Sequence, residues 1–127
     1  DALVANAVQA GLPTELRVSG EAAGLPMPVD LAAYRIIQES LTNAIRHAGP
    51  ASATVSLTYS DADLLIEVAD NGRGAPQNAS KGGHGLIGMR ERAAAAGGTM
   101  RAGSAPGGGF LVSARLPVHN QHEGAQQ

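Results

Sequence analysis

Three short runs hold residue types whose spacing can do chemistry. The first is Glu39, Asn43 and His47, an acid, an amide and an imidazole each four residues apart, with Arg35 and Arg46 beside them. Residues four apart on a helix lie one above another, so the three side chains would form one row. Such a row suits a magnesium–phosphate site, because magnesium takes hard oxygen ligands and keeps several waters. The Asn43 amide oxygen can fill one coordination position. Glu39 can orient a coordinated water or take a proton, and Arg46 can neutralise phosphate. The plainer reading is a solvated helix face with polar pairs one turn apart. Asn43 weighs against it, since asparagine is a poor helix former and in mid-helix needs a reason.

The second run is Asp70-Asn71-Gly72-Arg73-Gly74, directly after a strand-like stretch. These are turn residues, and a plain turn is one reading. The other is an adenine pocket: a carboxylate at a strand end accepts a hydrogen bond from an exocyclic amine. Glycines there let the base approach the backbone. The third run, Gly83-His84-Gly85-Leu86-Ile87-Gly88, matches G-x-G-x-x-G. The dinucleotide fingerprint needs a strand immediately before it, and here the polar residues 78–82 precede it. That reading is rejected, and no G-x-x-x-x-G-K-[ST] phosphate loop occurs. A glycine-rich turn opening a helix still offers free N–H groups and a positive dipole end to phosphate. Lys81 adds a mobile cation, and His84 either touches phosphate or faces solvent. His119 and His122 form H-x-x-H, but without further ligands they do not make a metal site.

The composition narrows the classes. The chain has 127 residues, one domain's worth, with 43% hydrophobic and 16% charged residues. Tyr34, Tyr59 and Phe110 are the only aromatics, so the core must be Leu, Val, Ile and Ala. There is no cysteine, which removes disulfides, thiolate nucleophiles and cysteine metal sites. The net charge of −2 comes without a basic run, so no nucleic-acid partner is expected. No apolar stretch approaches a membrane span, and no membrane contact is expected. Asp1 opens the chain with no leader pattern after it, so a fragment or a processed chain is expected.

The elements that must position these runs follow from periodicity and punctuation. Residues 1–10 have a weak helical pattern closed by Gly11. Residues 14–20 alternate as a strand, and a loop with Pro26 and Pro28 follows. Asp30 is the expected N-cap of a long helix to about Ala48, stopped by Gly49-Pro50. Its expected apolar stripe is Tyr34, Ile37, Leu41, Ile45 and Ala48, with Glu39, Asn43 and His47 opposite. Residues 52–59 and 64–69 read as strands around a turn, and 71–85 as a long loop. Residues 86–96 form a helix ended by Gly97-Gly98, and strands follow at 99–104 and 110–116. This order predicts an α+β fold with one mixed sheet and helices on one face. Residues 1–117 make the domain, and 118–127 are expected to be a disordered tail.

Together the three runs resemble the boxes of the Bergerat superfamily of ATP-binding domains, which includes gyrase, Hsp90, histidine kinases and MutL. Glu39-Ser40-Leu41-Thr42-Asn43-Ala44-Ile45-Arg46-His47 resembles its N box, and Asp70-Asn71-Gly72-Arg73-Gly74 its G1 box. Residues 83–92, GHGLIGMRER, resemble its G2 box, and Gly107-Gly108-Gly109 the later glycine turn. The match runs from about Val29 to Pro117. Tyr34-Arg35-Ile36-Ile37-Gln38-Glu39 and the G-L-x-G-M-R-E-R string are similar to sensor histidine kinases of the NarL/DesK type.

The resemblance implies a two-layer α/β sandwich with a mostly antiparallel sheet, and Mg-ATP as the ligand. It implies that Asp70 binds the adenine amine beside Gly72 and Gly74. Asn43 would ligate magnesium with Glu39 beside it, either as a base or through a magnesium-bound water. Arg46 and His47 would contact phosphates, with Lys81, Gly83, His84, Gly85, Leu86 and Gly88 on the lid side of the nucleotide. The implied activity is a protein-histidine kinase of a bacterial two-component system, facing the cytoplasm. Its partners would be a dimerisation domain carrying the acceptor histidine and a response regulator. The first histidine here is His47, inside the N box, so the acceptor is expected on another segment. An anti-sigma-type serine kinase shares the boxes, but the M-R-E-R string counts against it. A nucleotide-switched binding module that transfers nothing is the third reading, disfavoured by the intact Glu39 and Asn43.

Overall fold

The computed structural model describes residues 2–21, 25–47, 50–72, 83–105 and 108–118. Its elements are α1 (Ala2–Gln9), β1 (Thr14–Ser19), α2 (Met27–His47), β2 (Ala53–Tyr59), β3 (Asp63–Asp70), α3 (Gly83–Ala95), β4 (Thr99–Ser104) and β5 (Phe110–Pro117). The five strands form one sheet in the order β1-β2-β3-β5-β4. Strands β1 and β2 pair in parallel across the α2 crossover, and the other three pairs are antiparallel. This is the expected mixed, mostly antiparallel sheet with helices.

Alternation along the strands gives the sheet two unlike faces. Val55, Leu64, Ile66, Val68, Val112, Ala114, Leu116 and Met100 are buried on one face. Register keeps them together: Val68 lies opposite both Val55 and Val112, and Ile66 opposite Ala114. The other face carries Thr54, Ser56, Glu67, Ser113, Arg101 and Arg115, half-buried or exposed. Helices α2 and α3 cover the apolar face, with Val29, Ala32, Ala33, Ile36, Ile37, Leu41 and Ala44 of α2 and Met89 and Ala93 of α3 buried.

Two helix ends differ from the sequence reading. Helix α2 starts at Met27, three residues before the expected cap Asp30. The carbonyl of Pro26 accepts from the N–H groups of Val29 and Asp30, both at 3.0 Å. Pro28 needs no acceptor because it has no N–H, so a proline in the first turn is tolerated. Asp30 stands within that first turn, where a carboxylate suits the positive dipole end. Helix α3 likewise starts at Gly83 and not at residue 86, its first turn built from Gly83-His84-Gly85. Its far end is as expected. Gly98 N–H donates to Ala93 at 2.7 Å and Gly97 N–H to Ala94 at 2.9 Å, with Gly97 at φ +88°. This pair of bonds satisfies the last carbonyls and needs a residue at ease in the left-handed region.

The expected apolar stripe of α2 is half right. Ile37 and Leu41 are buried, but Tyr34 is 47% and Ile45 40% exposed, and Ala48 lies outside the described residues. The sheet and α3 both pack on this helix, so its buried arc is centred on Ile36 and Ser40. Tyr34 and Ile45 fall beyond one border of that arc. Glu39 and Asn43, expected on the opposite side, are half-buried at the other border.

Candidate functional site

One end of the sheet gathers the chemistry. Strand β3 ends there at Asp70, whose register partners are Ala53 at the start of β2 and Phe110 at the start of β5. Helix α2 leads into β2, so its C-terminal half with Asn43 arrives at this same end. Helix α3 leaves this end and feeds β4 at the other, so the two helices run antiparallel.

The facing surfaces of α2 and α3 are matched in detail. Ser40 is buried between Glu39 and Leu41, and its hydroxyl donates to the Ile36 carbonyl at 2.6 Å. The same oxygen lies 3.4 Å from the Met89 thioether of α3, a side chain with 0% exposure. One turn earlier on α3, Gly85 faces Glu39. A Cβ at Gly85 would stand 2.6 Å from Glu39 Oε2 and 3.2 Å from its carboxyl carbon. The missing side chain is therefore the space that the Glu39 carboxylate occupies. Thr42 donates back to the Gln38 carbonyl at 2.8 Å, and the half-buried Asn43 follows it.

Asp70 is half-buried, and its Oδ1 accepts from the Gly72 N–H at 2.9 Å. No other group among the described residues bonds that carboxylate. Asn71 ties the turn to the start of β2 through Ser52. Its N–H donates to the Ser52 carbonyl at 3.1 Å, and its side-chain oxygen accepts from the Ser52 N–H at 2.8 Å. Its Nδ2 donates to the Ser52 hydroxyl at 3.1 Å. On the opposite flank Gly109, at φ +90°, packs on the Asp70 carbonyl so closely that any Cβ would overlap it.

Of the residues singled out in the sequence, Glu39 and Gly85 are in contact, and Asn43 stands one turn on from Glu39. Asp70 and Gly72 are bonded to each other at the same sheet end. Leu86 is half-buried and packs against the core. Gly88 lies under Arg92, whose Nη1 would be 3.0 Å from an added Cβ. Arg46 is exposed near the end of α2, while Arg35 turns away to Gln38 at 3.3 Å. His47 ends α2, and Gly83 and His84 begin α3. The side chains of His47 and His84 lie outside the described residues, as do Gly74, Lys81, His119 and His122. Among the described residues no group of three or more acidic or histidine side chains could cage a metal. None of the described helices is long and apolar enough to cross a membrane.

Sequence reasoning missed Ser52 and Ser40. Ser52 lies 19 positions from Asn71, and only the β2–β3 register makes them neighbours. The signal for Ser40 was present: a small polar residue inside the apolar arc of a long helix needs a buried acceptor.

Residues 29–120 match the family model of the histidine kinase-, DNA gyrase B-, and HSP90-like ATPases. The sensor histidine kinase LnrJ of Bacillus subtilis is 38% identical over 112 residues, which cover 88% of this chain and 28% of that protein. LiaS, another sensor histidine kinase of Bacillus subtilis, is 33% identical over 95 residues, 74% of this chain and 26% of that protein. The chain thus spans about a quarter of the curated relatives it matches. Among solved structures, the ATP-binding domain of PrrB from Mycobacterium tuberculosis superposes with a TM-score of 0.71 at 27% identity. That match covers 94% of this chain and 91% of PrrB's domain. The histidine kinase domain of the blue-light-activated kinase of Erythrobacter litoralis EL346 has a TM-score of 0.73 at 22% identity, covering 91% of this chain and 57% of that one. A family model matched across residues 29–120 and a relative 38% identical over 88% of this chain show that the chain belongs to the histidine kinase-, DNA gyrase B-, and HSP90-like ATPase family.

Proposed function

We propose that this chain binds Mg-ATP and presents its γ-phosphoryl group to a histidine on a separate dimerisation domain, as the catalytic part of a sensor histidine kinase. The observation that carries the reading is the seat of Glu39 against Gly85, which brings an acid to the opening turn of α3. Asp70 at the same sheet end has a carboxylate oxygen with no partner among the described residues, free to accept from an adenine amine. The first N–H groups of α3 have no partners within their own helix, which suits phosphate oxygens.

The donor set fits magnesium. Asn43 and Glu39 supply hard oxygens one turn apart, and the described residues around them do not make a full cage. An ion held mainly by waters and phosphates needs no more. When bound, magnesium would neutralise charge developing on the phosphates. The chain's own part is positioning: Asp70 holds the base, Asn43 and Arg46 the phosphate side, and Glu39 orients a water or takes the proton of the attacking group. Such transfer depends on alignment and electrostatics far more than on covalent chemistry by the protein. A response regulator would then receive the phosphoryl group from the histidine.

The test is label transfer. Incubated alone with γ-labelled ATP, this chain is expected to stay unlabelled under conditions that preserve acid-labile phosphohistidine. His47 belongs to a helix committed to the nucleotide, and a side chain that binds phosphate there cannot also attack in line from the far side. Adding the dimerisation helices of the parent kinase in trans should produce label on those helices. Efficient self-labelling, or no transfer to the helices, overturns the reading.

A further inference from the structure

We infer that Asn71, clamped to Ser52, is a positioning residue that aims Asp70 and so sets the preference of this site for an amino-bearing purine. The inference rests on the reading of Asp70 as the adenine acceptor.

It starts from a backbone problem. Ser52 and Asn71 stand one step beyond the last register pair of β2 and β3, Ala53 with Asp70. In a continued ladder the Ser52 N–H would donate to the Asn71 carbonyl. It donates instead to Asn71 Oδ1 at 2.8 Å, while Asn71 N–H keeps its normal bond to the Ser52 carbonyl at 3.1 Å. A carboxamide has the same donor and acceptor as a peptide group. The Asn71 side chain thus replaces its own main chain in the ladder. The backbone is released to turn after Asp70, and the Ser52 N–H stays satisfied. The third bond, Asn71 Nδ2 to Ser52 Oγ at 3.1 Å, orients the amide so that its oxygen faces the N–H.

That turn is what directs Asp70. Its Oδ1 is held by the Gly72 N–H at 2.9 Å, a bond that closes over the turn made at residue 71. Gly109 closes the other flank against the Asp70 carbonyl, so the strand end is framed on both sides. Loosening Asn71 frees the Gly72 N–H from the carboxylate and lets Asp70 turn. The cost should fall on the one contact that depends on its direction, the bond to an exocyclic amine.

The experiment compares ATP with purine riboside triphosphate, which lacks that amine, by calorimetry on the whole chain. Wild type is expected to prefer ATP by roughly tenfold or more, the usual worth of a charge-assisted hydrogen bond. Asn71→Ala should lose most of that preference by weakening ATP alone, with binding of the analogue unchanged. Ser52→Ala removes only the hydroxyl partner and should lose part of it. Ser52→Thr keeps a hydroxyl and should restore it. Circular dichroism melts accompany each variant, and Ser52→Ala serves if Asn71→Ala fails to fold. Equal losses for both nucleotides, or no loss for either, overturn the inference and leave the clamp as turn architecture. Asp70→Ala tells the two levels apart. If it keeps the preference for ATP, the adenine assignment itself falls; if it abolishes the preference while Asn71→Ala does not, only the clamp's role falls.

Discussion

A methyl group on Gly85 would enter the space where Glu39 holds its carboxylate, and this gives the glycine a test that separates catalysis from stability. Alanine is favoured over glycine within a helix by about 1 kcal/mol. The clash is with the end of a flexible side chain, 2.6 Å away, so the backbone need not move. Gly85→Ala should therefore melt at or slightly above the wild-type temperature. Glu39 would be pushed aside by about an ångström, a displacement that can cost on the order of a hundredfold in rate. Label transfer to added dimerisation helices, measured beside the melt, is the check. A normal rate with an unchanged melt would leave the close approach without a role.

Helix α2 sets the spacing of the site, and its one-turn step from Glu39 to Asn43 predicts a division of labour. If Asn43 ligates the metal, Asn43→Ala should weaken Mg-ATP by roughly tenfold while metal-free ADP binds as before, since the proposed adenine acceptor, Asp70, lies on β3. Calorimetry with both ligands decides it; equal losses would make Asn43 a face residue. Much of this element was readable beforehand. The one-turn spacing of Glu39 and Asn43 on a long helix and the alternation of β2 and β3 follow from local periodicity, and the stop at Gly97-Gly98 from punctuation. Other features were not local. Pro26 caps α2 through a carbonyl, which any residue could have supplied. Tyr34 and Ile45 looked like core because hydrophobicity marks a possible face and not the direction from which α3 arrives. The Ser52–Asn71 clamp and the Glu39–Gly85 contact join residues far apart in sequence, so they exist only once the register and the helix pairing do.

Across the whole molecule the sheet is supported unevenly. Strands β3 and β5 are paired on both sides and carry the most buried side chains. Strand β1 is an edge, bonded to β2 alone. Leu16 and Val18 share the helix-side face with Val55 and Leu57, yet they are 36% and 54% exposed. The glutamate, asparagine and aspartate of the site all lie on α2 and β3, away from that edge. Amide hydrogen exchange makes the consequence measurable, because protection reports the free energy of the opening that exposes each N–H. The amides of β3 and β5 should exchange only on global unfolding. Those of β1 should exchange through a smaller, separate opening of this margin. Mg-ATP bound as proposed would stabilise every state that keeps the pocket, including one with β1 detached. Nucleotide should therefore slow exchange in β3 and β5 and leave β1 at its unliganded rate, the mark of a domain whose edge loosens independently of the proposed pocket.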